Sequence, residues 1–204
     1  MGFYQNHVVP RLISLVMRHK NLAAYRSRVV PAAAGRVLEI GIGSGLNLPF
    51  YSPAVREVIG LDPSAKLLAM ARHAARAGVS RVDLVEGSAE AIPLDAASVD
   101  TVVTTWTLCS IPDAARALRD MRRVLRPGGR LLFVEHGRAP DPRVVQWQDR
   151  LTPLWRRLSG GCHLDRPMTT LIEGAGFRLD RVATGYMPGP KPMTFMYEGS
   201  ARPL

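Results

Sequence analysis

Arg36 to Asn47 reads RVLEIGIGSGLN, and the order of its parts decides the fold. Val37-Leu38-Glu39-Ile40 is the short, apolar, β-branched run expected of a strand buried in a parallel sheet. Gly41, Gly43 and Gly45 follow at every second position, so the backbone can turn tightly and approach a ligand closely. A second apolar run, Glu57-Val58-Ile59-Gly60-Leu61, ends in Asp62. That acid lies about 20 residues on, where the end of a neighbouring strand would meet the hydroxyls of a ribose. Two strands, a glycine loop and an acid thus converge on a pocket for a nucleoside-bearing ligand.

The spacing of the loop narrows the ligand. A dinucleotide fingerprint reads GxGxxG and sets a pyrophosphate on a helix N-terminus. Here the spacing is GxGxG, and Glu39 stands two residues before the first glycine. A carboxylate aimed into the loop repels a diphosphate and suits a ligand with positive charge. S-adenosylmethionine carries a sulfonium and an ammonium, and the ExGxGxG arrangement resembles the first motif of class I S-adenosylmethionine-dependent methyltransferases. The competing reading is a nicotinamide-dependent oxidoreductase, which the loop spacing disfavours.

The segments that follow keep the order this resemblance implies. A helical stretch over Ala65 to Ala77 and a turn at Gly78 lead to a third strand, Val82 to Glu86, and then to GSAEAIPL at Gly87 to Leu94. Ser98 to Val103 reads as a fourth buried strand, followed by TTWTLCSIPD at Thr104 to Asp113. LRPGGRLLFVEH at Leu125 to His136 closes a helix with proline and glycine and opens a fifth strand. Phe177 to Ala183 and Pro192 to Glu198 read as two final antiparallel strands. The expected architecture is Rossmann-like α/β: a mostly parallel seven-stranded sheet with helices on both faces and an antiparallel C-terminal hairpin.

Composition bounds the rest. At 204 residues and 47% hydrophobic, the chain builds one well-buried domain. The net charge of +10 is spread along the sequence, almost all of it on arginine, with no basic run interleaved with aromatics; nucleic acid is not an expected partner. Cys109 and Cys162 lie far apart and read as free thiols of a reducing, cytoplasmic compartment. They form no CxxC motif, and five scattered histidines supply no ligand pairs at helical spacing, so no metal is expected. Residues 1–30 read as a helical segment ahead of a methyltransferase domain at 31–204, with a substrate-side insertion over about 137–175. Within the first segment, Phe3 to Lys20 is an amphipathic helix too short to span a bilayer and without a signal-peptide cleavage site. It is either a lid over the cofactor, to which Phe3, Tyr4 and Tyr25 contribute, or a peripheral helix on an anionic membrane, which would be the inner membrane surface.

The insertion carries the acceptor side. Val144 to Trp155 reads as a helix broken near Pro153 that places Trp147 and Trp155 on nearly one face, and GGCHLDR at Gly160 to Arg166 follows as a tight turn. Thr169 to Ala175 reads as a further helix, ended by Gly176. Taken together, EIGIGSGLN, TLCSI, RVLRPGG, FVEH, the tryptophan helix and GCHL resemble a narrower group. These are the methyltransferase-like alkyl-thiol S-methyltransferases, with quinone and phosphatidylethanolamine methyltransferases close by. The resemblance implies that Glu39, Gly41, Gly43, Gly45, Asn47, Asp62, Pro63, Ser88, Ala89, Glu90, Thr105 and Leu108 bind S-adenosylmethionine and its product S-adenosylhomocysteine. It implies Tyr4, Trp106, Trp147, Trp155 and Cys162 on the acceptor side. His136 and His163 are the candidate bases, because imidazole titrates near working pH. Plain core packing for the tryptophans and structural hydrogen bonding for the histidines stay open. So do the acceptor atom, the oligomeric state, and a non-enzymatic membrane-surface protein that keeps a degenerate cofactor fold.

Overall fold

The computed structural model describes residues 15–76 and 81–204. Tyr4, most of the Phe3–Lys20 helix and the turn at Gly78 lie outside them. The described chain runs α1 (Lys20–Val29), β1 (Gly35–Ile40), β2 (Val55–Asp62), α2 (Ala65–Ala75), β3 (Arg81–Glu86), β4 (Val99–Thr105) and α3 (Ala114–Val124). It continues with β5 (Leu125–His136), α4 (Pro142–Leu158), α5 (Met168–Gly174), β6 (Phe177–Tyr186), the single turn α6 (Lys191–Thr194) and β7 (Phe195–Pro203). The seven strands form one sheet in the order β3-β2-β1-β4-β5-β7-β6, with only β7 antiparallel to its neighbours. Strand order reverses between β1 and β4, and the carboxyl ends of those strands frame the crevice where open α/β sheets bind ligands.

Alternation along β1 explains which residue faces what. Leu38 and Ile40 enter the larger core, where Phe133 of β5, Leu118 and Met121 of α3 and Ile172 of α5 are fully buried. Val37 points the other way, into a second core with Val58, Val103 and Val134 that Val29 and Val30 cover. Glu39 therefore emerges on the α1 face, at the very end of the strand. The helices that bracket the site are capped by their own sequence. The Ser64 hydroxyl accepts the Leu67 N–H at the start of α2, and the Asp113 carboxylate accepts the Arg116 N–H at the start of α3.

Four local expectations are corrected. The RPGG turn is absorbed into the strand: Leu125 pairs with Val99 and Arg130 with Thr101, so Arg126 to Gly129 bulge out opposite Asp100. Arg126 closes the bulge with an ion pair to Asp100 at 2.8 Å. Helix α4 runs unbroken through Pro153. The carbonyl that loses its partner to the proline belongs to exposed Asp149, where water can replace it, and the Thr152 hydroxyl donates to the Gln148 carbonyl at 2.7 Å. Trp147 and Trp155 do not share a face, since eight residues of helix leave them roughly 80° apart. The last strand starts at Phe195, because Pro190 accepts the Met193 N–H and curls Lys191–Thr194 into a turn.

Candidate functional site

A cleft of about 340 Å³ opens over the carboxyl ends of β1, β2 and β4, within the range of small-molecule sites. Glu39 forms its floor. One carboxylate oxygen accepts Asn47 Nδ2 at 2.9 Å and the other the Tyr51 hydroxyl at 2.8 Å. Asn47 also donates to Thr105 Oγ1 at 3.1 Å, and its Oδ1 accepts Arg26 Nε at 3.1 Å. Arg26 further reaches the Met17 carbonyl at 3.0 Å and stacks 4.8 Å from the Trp106 ring. A buried chain thus ties the strand end to α1. Burial raises the Glu39 carboxyl to about 7, against the bonds from Tyr51 and Asn47 and the charge of Arg26. Burial also lowers Arg26, to about 10, with Glu39 opposing, so the guanidinium keeps its charge.

Asp62 ends β2 across the cleft. Its two oxygens accept the Gly43 N–H at 3.0 Å and the Ser64 N–H at 2.9 Å, which leaves acceptor capacity on both. Burial raises its pKa, and those two backbone bonds resist. Gly41 and Gly43 both have positive φ, +67° and +56°. A Cβ at Gly41 would strike Thr107 Oγ1 at 2.3 Å, whereas one at Gly43 would stand in open space, 3.9 Å from the Gly41 carbonyl.

The far end of the cleft is walled by Gly87, Ser88, Ala89, Leu67, Ile111 and Pro112. Glu90 does not line it; its carboxylate accepts the Asp113 N–H at 2.7 Å and braces the loop against α3. Gly45 packs against α2 beside Ala71 and Ala74, and Leu108 is wholly buried in the core. Of the residues expected at the cofactor, Glu39, Gly41, Gly43, Asn47, Asp62, Pro63, Ser88, Ala89 and Thr105 line the cleft. Trp106 lines it too, held at φ +50°, with Tyr25 edge-on at 6.2 Å.

The turn that carries Trp106 is fixed by Glu135, a fully buried residue that the sequence reading did not nominate. One of its oxygens accepts the Thr104 hydroxyl at 2.8 Å and the Thr107 and Leu108 N–H groups at 3.0 and 3.1 Å. The other is buried with no partner among the described residues. Burial raises its pKa. Met17, Arg26, Ser159 and Gly160 are further lining residues missed in the sequence. Arg26 carries no mark that separates it from the chain's many other arginines.

The remaining expected residues sit outside the cleft wall. His136 Nε2 lies 2.9 Å from Cys162 Sγ. His163 donates its backbone N–H to the Cys109 carbonyl at 2.8 Å. Burial lowers its imidazole pKa, helped by Arg166 and Arg156. Trp147 is 54% exposed on α4. Trp155 packs partly buried against the large core, its indole N–H unpartnered among the described residues.

Fold and cleft together define an open α/β domain whose cleft, at the reversal of strand order, carries the carboxyls of Glu39 and Asp62 and the guanidinium of Arg26. The comparisons with known proteins point the same way. Residues 38–133 match the family described as "Methyltransferase domain". "Thiol S-methyltransferase TMT1B" of Rattus norvegicus is 35% identical over 162 residues, 76% of this chain and 64% of that one. "Phosphatidylethanolamine N-methyltransferase" of Cereibacter sphaeroides is 38% identical over 109 residues, 52% of this chain and 53% of its own. A solved structure described as an S-adenosylmethionine-dependent methyltransferase, possible histamine N-methyltransferase, from Thermotoga maritima shares the fold. It superposes with a TM-score of 0.69 at 21% identity, covering 97% of this chain and 99% of its own. Residues 38–133 therefore match a methyltransferase domain, and the chain is similar to methyltransferases in sequence and to S-adenosylmethionine-dependent methyltransferases in fold. It spans less than two thirds of the length of the thiol S-methyltransferases it matches.

Proposed function

We propose that the protein transfers a methyl group from S-adenosylmethionine to a small acceptor, and that the acceptor is a thiol. The observation that carries the first part is the pairing of Glu39 and Asp62 at the tips of adjacent strands around a glycine loop in which a Cβ at Gly43 would stand in the open cleft. Asp62, with spare acceptor capacity, suits the ribose hydroxyls, and Ser88 and Ala89 suit the adenine. Glu39 suits the ammonium of the amino-acid end. Bound S-adenosylmethionine supplies a methyl group on a positively charged sulfur. The chain's part is to hold an acceptor in line with that group and exclude water, and most of the rate comes from this positioning.

The chemistry of the wall supports a thiol. Among the described lining residues the titratable side chains are Arg26, Glu39 and Asp62, and none is a histidine or lysine placed to deprotonate an alcohol. A thiol ionises without help near pH 8.5 and is a strong nucleophile once it has. The 35% identity to a thiol S-methyltransferase supports the same choice. Phospholipid N-methylation is the second reading, favoured by the Cereibacter relative and by the outer face of α4. Quinone C-methylation is a further variant, and His136 and His163, the candidate bases for an amine or hydroxyl acceptor, stand outside the cleft wall. Incubation with methyl-labelled cofactor and a panel of thiols, amines, phenols and lipids, read by mass, tests these readings. Labelled amine or phenol without labelled thiol overturns the thiol assignment. Retention of cofactor with no product from any class favours a binding protein.

Glu39 supplies a pH signature. The folded carboxyl keeps its proton to about pH 7, whereas an ordinary glutamate loses it near 4.5. Folding therefore takes up a proton in this interval, and stability falls as pH rises from about 4.5 to about 7, then levels. A cationic ligand favours the ionised carboxylate, so affinity for S-adenosylmethionine rises over the upper part of the same interval and flattens above it. Glu39→Gln is expected to bind weakly with no such rise. Calorimetric titration between pH 6 and pH 8 checks this, and a flat profile for the unaltered chain counts against Glu39 facing the cation.

We also propose peripheral contact with an anionic bilayer. No helix among the described residues is long and apolar enough to cross a membrane. On α4, however, Trp147, Leu154 and Leu158 are 54%, 58% and 54% exposed and fall on one stripe. Arg143 and Arg150 flank it, the latter 5.9 Å from the Trp147 ring. Leu158 directly precedes Ser159 and Gly160 of the cleft wall, so a membrane-dissolved acceptor would be met at the entrance. Trp147→Ser with Leu158→Ser is expected to lower sedimentation with phosphatidylglycerol vesicles at least about tenfold and to leave cofactor affinity unchanged. Equal sedimentation of both proteins overturns the contact.

A further inference from the structure

Beside the cleft, three side chains that sequence spacing does not relate meet at one point. Cys109 comes from the loop after β4, His136 from the last position of β5, and Cys162 from the loop after α4. The two sulfurs and a ring nitrogen all lie within 4.8 Å of one another. Both cysteines are free and buried. We propose that Cys109, His136 and Cys162 together bind one zinc ion, each giving one ligand atom.

The donor set selects the ion. Two thiolates and an imidazole suit zinc and other thiophilic cations and exclude magnesium and calcium, which take oxygen. With Zn–S near 2.3 Å and Zn–N near 2.0 Å, tetrahedral ligands stand roughly 3.5–3.8 Å apart. The three atoms are already inside 4.8 Å, and one pair, His136 Nε2 and Cys162 Sγ at 2.9 Å, needs to open by about half an ångström. Charge also balances. Two thiolates neutralise the divalent ion, so the nearby Arg166 guanidinium, bonded to the Leu108 carbonyl, meets no added net charge. Glu135, next in sequence to His136, supplies an opposing carboxylate. Three protein ligands leave a fourth position for water or an exogenous donor.

The position gives the ion a structural consequence. Cys109 is followed by Ser110, Ile111 and Pro112, and Cys162 is preceded by Ser159 and Gly160, all lining the cleft. A single ion would clamp both walls to the end of β5. The two walls already touch, since the His163 N–H donates to the Cys109 carbonyl at 2.8 Å.

The test uses the full chain, reduced, stripped with chelator and titrated with cobalt(II) as the spectroscopic stand-in for zinc. The expected result is saturation at one equivalent, with a sulfur-to-cobalt charge-transfer band in the near ultraviolet, visible d–d bands, and loss of both on adding zinc. Cys109→Ser and Cys162→Ser should each weaken binding at least about 100-fold and halve the charge-transfer intensity per bound ion. Should either variant not fold, the unaltered chain still decides the matter, because zinc must protect both thiols from alkylation by iodoacetamide. Absence of the charge-transfer band overturns the proposal. So does weak uptake that neither substitution alters, which is an adventitious ion only, or a Cys109–Cys162 disulfide that forms equally with zinc present.

Discussion

Gly43→Val is expected to cut affinity for S-adenosylmethionine by at least about 100-fold while the protein still folds. Two effects contribute, and the structure separates them. The first is strain: Gly43 sits at φ +56°, where a β-branched residue costs about 1–3 kcal/mol. The second is occupation of ligand space. The protein itself offers nothing closer than 3.9 Å to a Cβ at this position, so the added methyl groups stand in the cleft and displace ligand rather than protein. Gly128→Val supplies the control. It has φ +79° and no atom within 4 Å, and it belongs to the surface bulge of β5. It carries the same kind of strain and should show a similar small fall in melting temperature, yet bind cofactor normally. Calorimetric titration of both variants distinguishes the two effects. Equal affinity in Gly43→Val and Gly128→Val would remove the glycine loop from the binding site.

The contrast between these glycines shows what sequence can and cannot convey. Strand β1, its glycine loop and Asp62 were legible because each depends on local chemistry: buried β-branched runs, positive φ, an acid at a strand end. Asn47 was legible as a residue of that loop, but its bond to Arg26 was not, because the partner lies 21 residues earlier on a helix whose placement is set by tertiary packing. The same holds for Cys109, His136 and Cys162. Spacing rules for metal ligands assume donors on one turn or one helix, and these come from three separate loop and strand ends. Pro153 misled for the opposite reason. Its local preference to break a helix is real, but α4 meets it where the orphaned carbonyl belongs to a residue facing water.

Glu135→Ala tests a residue visible only in three dimensions, and its expected effect on the fold is large. The Glu135 carboxylate holds the Thr104 hydroxyl and the Thr107 and Leu108 N–H groups with a single oxygen. Truncation removes the acceptor from all three donors, of which the Thr104 hydroxyl and the Leu108 N–H are buried and the Thr107 N–H stands beside the cleft, at about 1–3 kcal/mol for each buried group. Partial relaxation brings the expected loss to about 3–5 kcal/mol, a fall of roughly 6–20 °C in melting temperature for a chain of this size. The loss should extend to the cleft, because the freed turn carries Trp106 against Arg26 and Tyr25. Glu135→Gln separates shape from charge. Its amide oxygen can replace the accepting carboxylate oxygen, and its NH₂ takes the place of an oxygen that is already unpartnered among the described residues. That variant should stay within about 1 kcal/mol of the unaltered chain, since it also avoids burying a charge. Thermal unfolding and cofactor titration on the pair give the answer. A stable Glu135→Ala would mean that the three donors find other acceptors and that the turn under Trp106 is held by packing alone.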